Sequence, residues 1–126
     1  MFRGLFITGT DTGIGKTAVA AAVMIRYRRL QGLRYWKPIQ TGIETDDDTE
    51  TVRKLAGCGN TEVHPAGIRL AGAVAPYLAA ERSGTRITVE EVIRLAAGEP
   101  EHVRWVAEGA GGVLVPINDS ESMLDL

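Results

Sequence analysis

Short apolar runs alternate with longer mixed runs along this chain. Residues 5–7, 34–36 and 103–107 are mostly apolar or aromatic, and each run gives way to glycine, proline or polar residues. Runs of this length and composition are typical of buried strands in a parallel sheet. Residues 16–31 and 48–56 are rich in residues that favour helices. The alternation predicts an α/β fold with a parallel sheet and helices on both faces.

Local signals predict where the later helices begin. Two pairs of residues have the spacing of a capping box: Asp47 with Glu50, and Thr88 with Glu91. A helix is therefore predicted to start directly after Asp47 and another directly after Thr88. A short helix is predicted at residues 76–80. The apolar face of the helix that follows Thr88 is expected to comprise Val92, Ile93, Leu95 and Ala96.

The predicted strands are few for a complete sheet. Residues 113–115 are also predicted to be extended, which gives three or four strands in total. A parallel sheet normally has both of its faces covered and carries more strands than this. We therefore expect residues 1–126 to form a single domain that lacks its C-terminal strands, as in a C-terminally truncated chain.

Composition limits the possible partners. With 126 residues, 44% of them hydrophobic, the chain is long enough for one small domain. A formal net charge of −2, with two tryptophans, three tyrosines and two phenylalanines, gives no basic, aromatic-rich surface for nucleic acid or a membrane. The longest apolar stretch, residues 18–25, is too short to span a bilayer. A cytoplasmic protein is expected.

Several conspicuous side chains are predicted to be structural. Cys58 is the single cysteine, so no intrachain disulfide or cysteine-based metal site can form, and its place between glycines predicts a small buried or turn residue. His64 and His102 stand in polar stretches and are predicted to be solvated. Trp36 and Trp105 fall in predicted strands and are expected in the core.

The strongest chemical signal is the sequence GTDTGIGKT at residues 9–17, between a predicted strand and a predicted helix. Gly13 and Gly15 allow successive backbone N–H groups to face one anion, at the positive end of the new helix. Lys16 adds a cation for the outer phosphates, and the Thr17 hydroxyl can bind Mg²⁺. The pattern predicts a P-loop for ATP and Mg²⁺. It has five residues between its first glycine and Gly-Lys-Thr, where the common pattern has four.

Two further motifs follow predicted strands. The sequence KPIQTG starts at Lys37, after the second strand, and EGAGG starts at Glu108, after the third. Ligands bind beyond the carboxyl ends of strands in open α/β sheets, so an ammonium there can reach an anion held by the P-loop. Glu108 is predicted to be a magnesium ligand. A lysine at a strand end without a P-loop nearby would instead be a surface residue.

Asp48 ends an aspartate triplet at the start of a predicted helix. Such a triplet is often only a solvated helix start. However, Asp48, Val52 and Leu55 have the i, i+4, i+7 spacing of one helix face. If Val52 and Leu55 face the core, Asp48 points inward with them.

These motifs together resemble those of dethiobiotin synthetases. The extended P-loop, Lys-Pro-x-x-(Ser/Thr)-Gly after the second strand and Glu-Gly-Ala-Gly-Gly after the third occur in the same order and at similar separations. The resemblance covers essentially all of this chain but little more than the first half of a family member. It implies a P-loop NTPase-type sheet.

The resemblance also implies roles for particular residues. Lys37 would be the active-site lysine, assisted by Lys16 and Thr12, and Thr41 would contact a diamine substrate. The ligands of Mg²⁺ would be Thr17, Asp48 and Glu108. The nucleotide-binding residues would be Gly13, Ile14, Gly15, Lys16, Thr17, Ala18, Asp48, Glu108, Gly109, Ala110 and Gly111.

The implied reaction is an ATP-dependent ring closure. ATP, CO₂ or bicarbonate and 7,8-diaminononanoate would give dethiobiotin, ADP and phosphate, in a homodimer when the protein is full length. We expect no full turnover from these 126 residues alone. Two alternatives stay open: a related P-loop amide ligase acting on cobyrinic acid, and a partition-type switch ATPase that binds protein partners. The second usually has a lysine early in the P-loop, and here none precedes Lys16.

Overall fold

The computed structural model describes residues 3–126, within which there are five strands and four α-helices. The strands are β1 (Gly4–Ile7), β2 (Leu33–Trp36), β3 (Ile39–Thr41), β4 (Ile68–Leu70) and β5 (Arg104–Glu108). The helices are α1 (Lys16–Tyr27), α2 (Asp48–Ala56), α3 (Pro76–Arg82) and α4 (Val89–Arg94). A short 3₁₀ helix occupies Asn60–Glu62.

All pairings between these strands are parallel. β5 lies in the centre of a three-stranded sheet in the order β1-β5-β2, and β3 pairs with β4 in a separate two-stranded sheet. Because β1, β2 and β5 run in the same direction, the loops after all three strands lie at one edge of the sheet. The predicted α/β fold with a parallel sheet is confirmed.

Helices cover both faces of β2 and β5. Tyr35 and Val106 pack on one side with residues of α1 and α2. Trp36 and Trp105 pack on the other side with residues of α3 and α4. The alternation of neighbouring strand residues between the two faces accounts for this division. The prediction of helices on both faces, and of both tryptophans in the core, is confirmed.

β1 is less buried than predicted. Leu5 is 55% exposed and Phe6 is 39% exposed, although the apolar run predicted a buried strand. β1 lies at the edge of the three-stranded sheet, whereas the two core clusters lie mainly over β2 and β5. The prediction of a strand was right, and the prediction that this strand is buried was wrong.

Two extended regions differ from the prediction. β3 and β4 were missed, because a three-residue strand is too short to show an alternating pattern. Residues 113–115 are not a strand: Val113 and Leu114 lie in a turn. Hydrogen bonds from the N–H of Val115 to the Gly112 carbonyl, and from the N–H of Met123 to the Val115 carbonyl, fold this segment back. The observed five strands thus exceed the predicted three or four.

The predicted helix starts agree with the structure. The Asp47 side chain accepts a hydrogen bond from the N–H of Glu50, and Thr88 forms a reciprocal capping box with Glu91. α1 ends earlier than predicted, at Tyr27 rather than at residue 31, because residues 28–32 form turns. The local sequence therefore predicts helix starts better than helix ends in this chain.

Leu95, predicted on an apolar helix face, and Leu55, considered as a possible core residue, both lie at the surface. Leu55 in α2 is 59% exposed, and Leu95 follows the end of α4 in an exposed turn. The buried face of α2 is formed by Val52 and Ala56, which are four residues apart. Asp48 lies one helical turn before the buried Val52, so it points inward as inferred, although Leu55 itself faces solvent.

His64 is buried, contrary to the prediction that it is solvated. Its ring nitrogens lie 3.1 Å from Glu99 Oε1 and 3.0 Å from the Leu95 carbonyl oxygen. Its ring makes edge contacts with Trp36 and Trp105, at centroid distances of 5.6 and 5.2 Å. Its backbone N–H also donates to the Tyr35 carbonyl, which aligns this segment with β2. Hydrogen bonds that form only in the tertiary fold thus explain its burial.

His64→Ala should lower the free energy of unfolding by about 2–4 kcal/mol, because it removes two side-chain hydrogen bonds and leaves a cavity beside the tryptophans. Urea unfolding followed by tryptophan fluorescence would measure this. His102 is exposed, so His102→Ala is the matched control and should change stability by less than about 0.5 kcal/mol. Equal stability of the two variants would contradict a structural role for His64.

Candidate functional site

The loop between β1 and α1 has the backbone of an anion site. Gly13 and Gly15 have φ angles of 74° and 104°, in the left-handed region where other residues are rare. Gly15 is the N-cap of α1 and provides no side chain to bond the first N–H groups of the helix. These groups and the positive end of the helix are therefore available to an anion.

The P-loop lysine and threonine have different environments. Lys16 is buried, and its Nζ donates to the carbonyl oxygen of Asp11 at 2.5 Å, within the same loop. The Thr17 hydroxyl lies 3.1 Å from Asp48 Oδ1 and 2.9 Å from Glu108 Oε1. Three oxygen atoms therefore meet at this point, and the single hydroxyl proton can be donated fully to only one of the two carboxylates at a time.

Lys37 links the same two carboxylates. Its Nζ lies 2.6 Å from Asp48 Oδ2 and 3.2 Å from Glu108 Oε1, and it also donates to the Gly109 carbonyl oxygen at 3.0 Å. The side chains of Lys37 and Glu108 are only 4% and 1% exposed. Because one ammonium here pairs with two carboxylates, the cluster favours an additional cation.

Tyr35 contacts the other side of the Glu108 carboxylate. Its hydroxyl donates to Glu108 Oε2 at 2.9 Å. Burial, with a contribution from the Glu108 carboxylate, raises the pKa of the Tyr35 phenol well above its ordinary value, so the hydroxyl stays protonated and remains a donor. Sequence reasoning missed Tyr35. Its position two residues before Lys37 could have revealed it, since alternate strand residues share a side.

Gln40 joins β3 to the start of α2. Its Oε1 accepts a hydrogen bond from the backbone N–H of Asp48 at 3.1 Å, and its Nε2 donates to the Thr41 carbonyl oxygen at 2.8 Å. The buried Gln40 side chain thus fixes the backbone that carries the Asp48 carboxylate. This contact was also missed, and no local pattern indicates it, since it depends on the tertiary approach of β3 to α2.

A cleft of about 500 Å³ joins these groups. The predicted site residues that line it are Thr12, Gly13, Gly15, Lys16, Thr17, Lys37, Thr41, Asp48, Glu108, Ala110 and Gly111. Residues that line it without having been predicted include Asp11, Gln40, Thr45, Asp46, Val74, Pro76 and Val115. Four segments that are far apart in sequence, residues 11–17, 37–48, 73–76 and 108–115, therefore form one concave site.

Three predicted residues do not line the cleft. Ile14 is exposed, and its side chain covers Gly9. A Cβ added at Gly9 would lie 2.2 Å from the Ile14 side chain. Ala18 is exposed on α1. Gly109 contributes to the cluster indirectly, since its carbonyl oxygen accepts a hydrogen bond from Lys37.

The match to a protein-family model covers nearly the whole chain. The model is described as an AAA domain, and it matches residues 3–126. The chain belongs to the AAA domain family. A P-loop between β1 and α1, with an acidic residue at the end of the central strand, agrees with this assignment.

Curated relatives match 97–100% of this chain and are longer than it. ATP-dependent dethiobiotin synthetase BioD of Paramagnetospirillum magneticum is 41% identical over 124 residues, which are 98% of this chain and 56% of the relative. The protein of the same name from Brucella ovis is 42% identical over 97% of this chain and 54% of the relative. That from Nitrobacter hamburgensis is 45% identical over 100% of this chain and 56% of the relative. The chain thus spans about half the length of the curated relatives it matches.

The helices of the described region are short. Among residues 3–126, none is both long enough and apolar enough to cross a membrane.

The P-loop packs directly on the loop after β5. The N–H groups of Gly109 and Val113 donate to the carbonyl oxygens of Ile7 and Gly9. A Cβ added at Gly112 would lie 2.6 Å from the carbonyl oxygen of Thr10. Gly112 therefore permits an approach of the two backbones that a side chain would prevent.

Gly112→Ala should destabilise the protein by about 1–3 kcal/mol, because the new methyl group would force the two loops apart. Chemical unfolding would measure the change. Gly98 is the matched control, since a Cβ added there has no atom within 4 Å. Gly98→Ala should alter stability by less than about 0.5 kcal/mol, and a Gly112→Ala protein as stable as this control would contradict the packing described.

Proposed function

We propose that the complete protein is an ATP- and Mg²⁺-dependent ligase that closes a ureido ring on 7,8-diaminononanoate with CO₂, giving dethiobiotin, ADP and phosphate. The observation that carries the proposal is the convergence of Lys16, Thr17, Lys37, Asp48 and Glu108 in one cleft. The names of the relatives, ATP-dependent dethiobiotin synthetase, support the same activity. The complete protein would act in the cytoplasm as a homodimer.

ATP would bind through its phosphates at the P-loop. The first N–H groups of α1 and the left-handed glycines Gly13 and Gly15 would face the phosphate oxygens. Lys16 would exchange the Asp11 carbonyl oxygen for an outer phosphate oxygen. Thr12, which lines the cleft beside Gly13, would place its hydroxyl near the phosphate that is transferred.

The residues of the cluster fit a magnesium ion. Within residues 3–126, no group of three histidine, cysteine or acidic side chains could hold a metal by itself, so the candidate set is two carboxylates and a hydroxyl. In octahedral coordination at about 2.0–2.1 Å, neighbouring oxygens lie about 2.9 Å apart. The Thr17 hydroxyl has this separation from Glu108 Oε1 (2.9 Å) and nearly so from Asp48 Oδ1 (3.1 Å). When bound, Mg²⁺ would neutralise charge on the phosphates.

The reaction requires two anions to approach each other. One substrate amine would add to CO₂ with loss of a proton, forming a carbamate. A carbamate oxygen would attack the γ-phosphorus and release ADP. The second amine would then attack the carbonyl carbon of this mixed anhydride, lose a proton and release phosphate as the ring closes. Positioning and charge neutralisation are the main contributions that a protein makes to such transfers.

Lys37 is the best candidate for neutralising the carbamate. Its ammonium lines the cleft between the P-loop and the segment that carries Thr41. Thr41, at the end of β3, would donate or accept a hydrogen bond with one substrate amine. The preorganised ammonium would lower the energy of the transition state without reorganising solvent.

Lys37→Gln should abolish dethiobiotin formation but change the metal-free affinity for ATP by less than about twofold, because Lys37 contacts the proposed Mg²⁺ ligands and not the P-loop. Lys16→Gln should lower ATP affinity itself by about tenfold or more, since it removes a charge-assisted bond to phosphate. Dethiobiotin would be quantified by mass spectrometry with ¹³C-bicarbonate, and ATP affinity by calorimetry, on protein expressed from its complete reading frame. Equal loss of ATP affinity in both variants would contradict the separate roles.

The same assay separates the alternatives. Stimulation of ATP hydrolysis by diaminononanoate plus bicarbonate is expected for the proposed ligase. Stimulation by cobyrinic acid with an amide donor would favour the related amide ligase, and stimulation by a protein partner alone would favour a switch ATPase. Either of these results, without ¹³C in dethiobiotin, would overturn the proposed function.

A further inference from the structure

We propose that Tyr35 is a positioning residue that holds the Glu108 carboxylate in the orientation needed to bind a divalent cation. The inference rests on the proposed function, because it takes the cluster of Thr17, Asp48 and Glu108 to be a magnesium site. Tyr35 would touch neither the cation nor a substrate, and would act through Glu108.

The two oxygens of Glu108 have separate environments. Oε1 faces the cleft, where it lies 2.9 Å from the Thr17 hydroxyl and 3.2 Å from Lys37 Nζ. Oε2 points the other way and accepts the Tyr35 hydroxyl at 2.9 Å. The carboxylate is almost completely buried, so bulk water does not compete for Oε2. Hydrogen bonds at both ends of the carboxylate therefore fix its rotation and reserve Oε1 for the cleft.

Tyr35 itself is held rigidly. It is completely buried in β2, and it pairs in register with Val106 of β5. The carbonyl oxygen of Tyr35 accepts a hydrogen bond from the N–H of His64, on the edge of β2 that faces away from β5. Glu108 lies two residues after Val106, so it projects from the same side of the sheet as Val106 and Tyr35. The fold thus aligns the phenol with Glu108 before any ligand enters.

Loss of the phenol hydroxyl has a specific expected effect. Oε2 would remain buried without its donor, which is costly for an ionised group. Lys37 and Thr17 both donate to Oε1, so a rotation of the carboxylate that brings Oε2 to these donors would take Oε1 away from them. Changing a group that orients a metal ligand typically costs about 10–100-fold in metal affinity. Phosphate contacts at the P-loop would not change.

The test compares nucleotide affinity with and without metal. Tyr35→Phe keeps the buried ring and removes only the hydroxyl. ADP affinity would be measured by calorimetry in EDTA and again in excess MgCl₂. We expect the gain in affinity that Mg²⁺ gives the wild-type protein to fall by about tenfold or more in the variant. Metal-free ADP affinity, which also reports correct folding, should change by less than about twofold.

Tyr77 provides a matched control. Its hydroxyl also donates to a carboxylate, Asp119 Oδ1, at 3.0 Å, but this pair is exposed and lies outside the cleft. Tyr77→Phe should leave both affinities unchanged. In a Glu108→Gln background, Tyr35→Phe should cause no further loss of the Mg²⁺-dependent gain, because the two residues act as one unit.

The outcomes are distinguishable. Equal loss of ADP affinity with and without Mg²⁺, an unchanged Mg²⁺-dependent gain, or an additive double variant would each overturn the role of Tyr35. The absence of any Mg²⁺-dependent gain in the wild-type protein would overturn it as well. A wild-type protein that binds Mg²⁺ and ADP as expected but forms no dethiobiotin would overturn the proposed function alone.

Discussion

The candidate site depends on one buried interaction, the ammonium of Lys37 between the carboxylates of Asp48 and Glu108. Removing such charges from water is costly, and the cost is offset only when each charge has well-placed partners. The partners of the carboxylates come from separate parts of the chain, Thr17 from α1 and Tyr35 from β2, while Gln40 from β3 holds the backbone N–H of Asp48. The same cluster therefore sets the relative positions of the surrounding helices and strands.

The parallel sheet makes this cluster possible. β1, β2 and β5 end at the same edge, so the P-loop, the Lys37 segment and the loop that starts at Glu108 meet there. The two core clusters on opposite faces of β2 and β5 hold these strands in register. The polar cluster lies where the apolar core ends. Lys37 and Glu108 each follow directly after a buried core residue, Trp36 and Ala107.

Sequence reasoning succeeded where the determining signal is local. The glycines around Lys16, and Glu108 at the end of an apolar run, could be recognised because strand ends and loop conformations depend on nearby residues. It failed where distant contacts decide the outcome. His64 looks solvated in its polar stretch but is buried by Trp36 and Trp105. β3 exists because β4 pairs with it, which a three-residue pattern cannot reveal. Tyr35 was missed, although its spacing from Lys37 is that of two residues on the same side of a strand; the spacing does not reveal that its partner is Glu108.

The hydrogen bond from Lys16 to the Asp11 carbonyl oxygen has a consequence for the thermodynamics of anion binding. A free lysine side chain carries about 2 kcal/mol of rotamer entropy, which is normally lost when it is immobilised on a ligand. Here the lysine is buried and already bonded within its own loop, so much of that freedom is lost during folding. An anion entering the cleft replaces one oxygen acceptor by another, and the entropic penalty of recruiting this cation is correspondingly small.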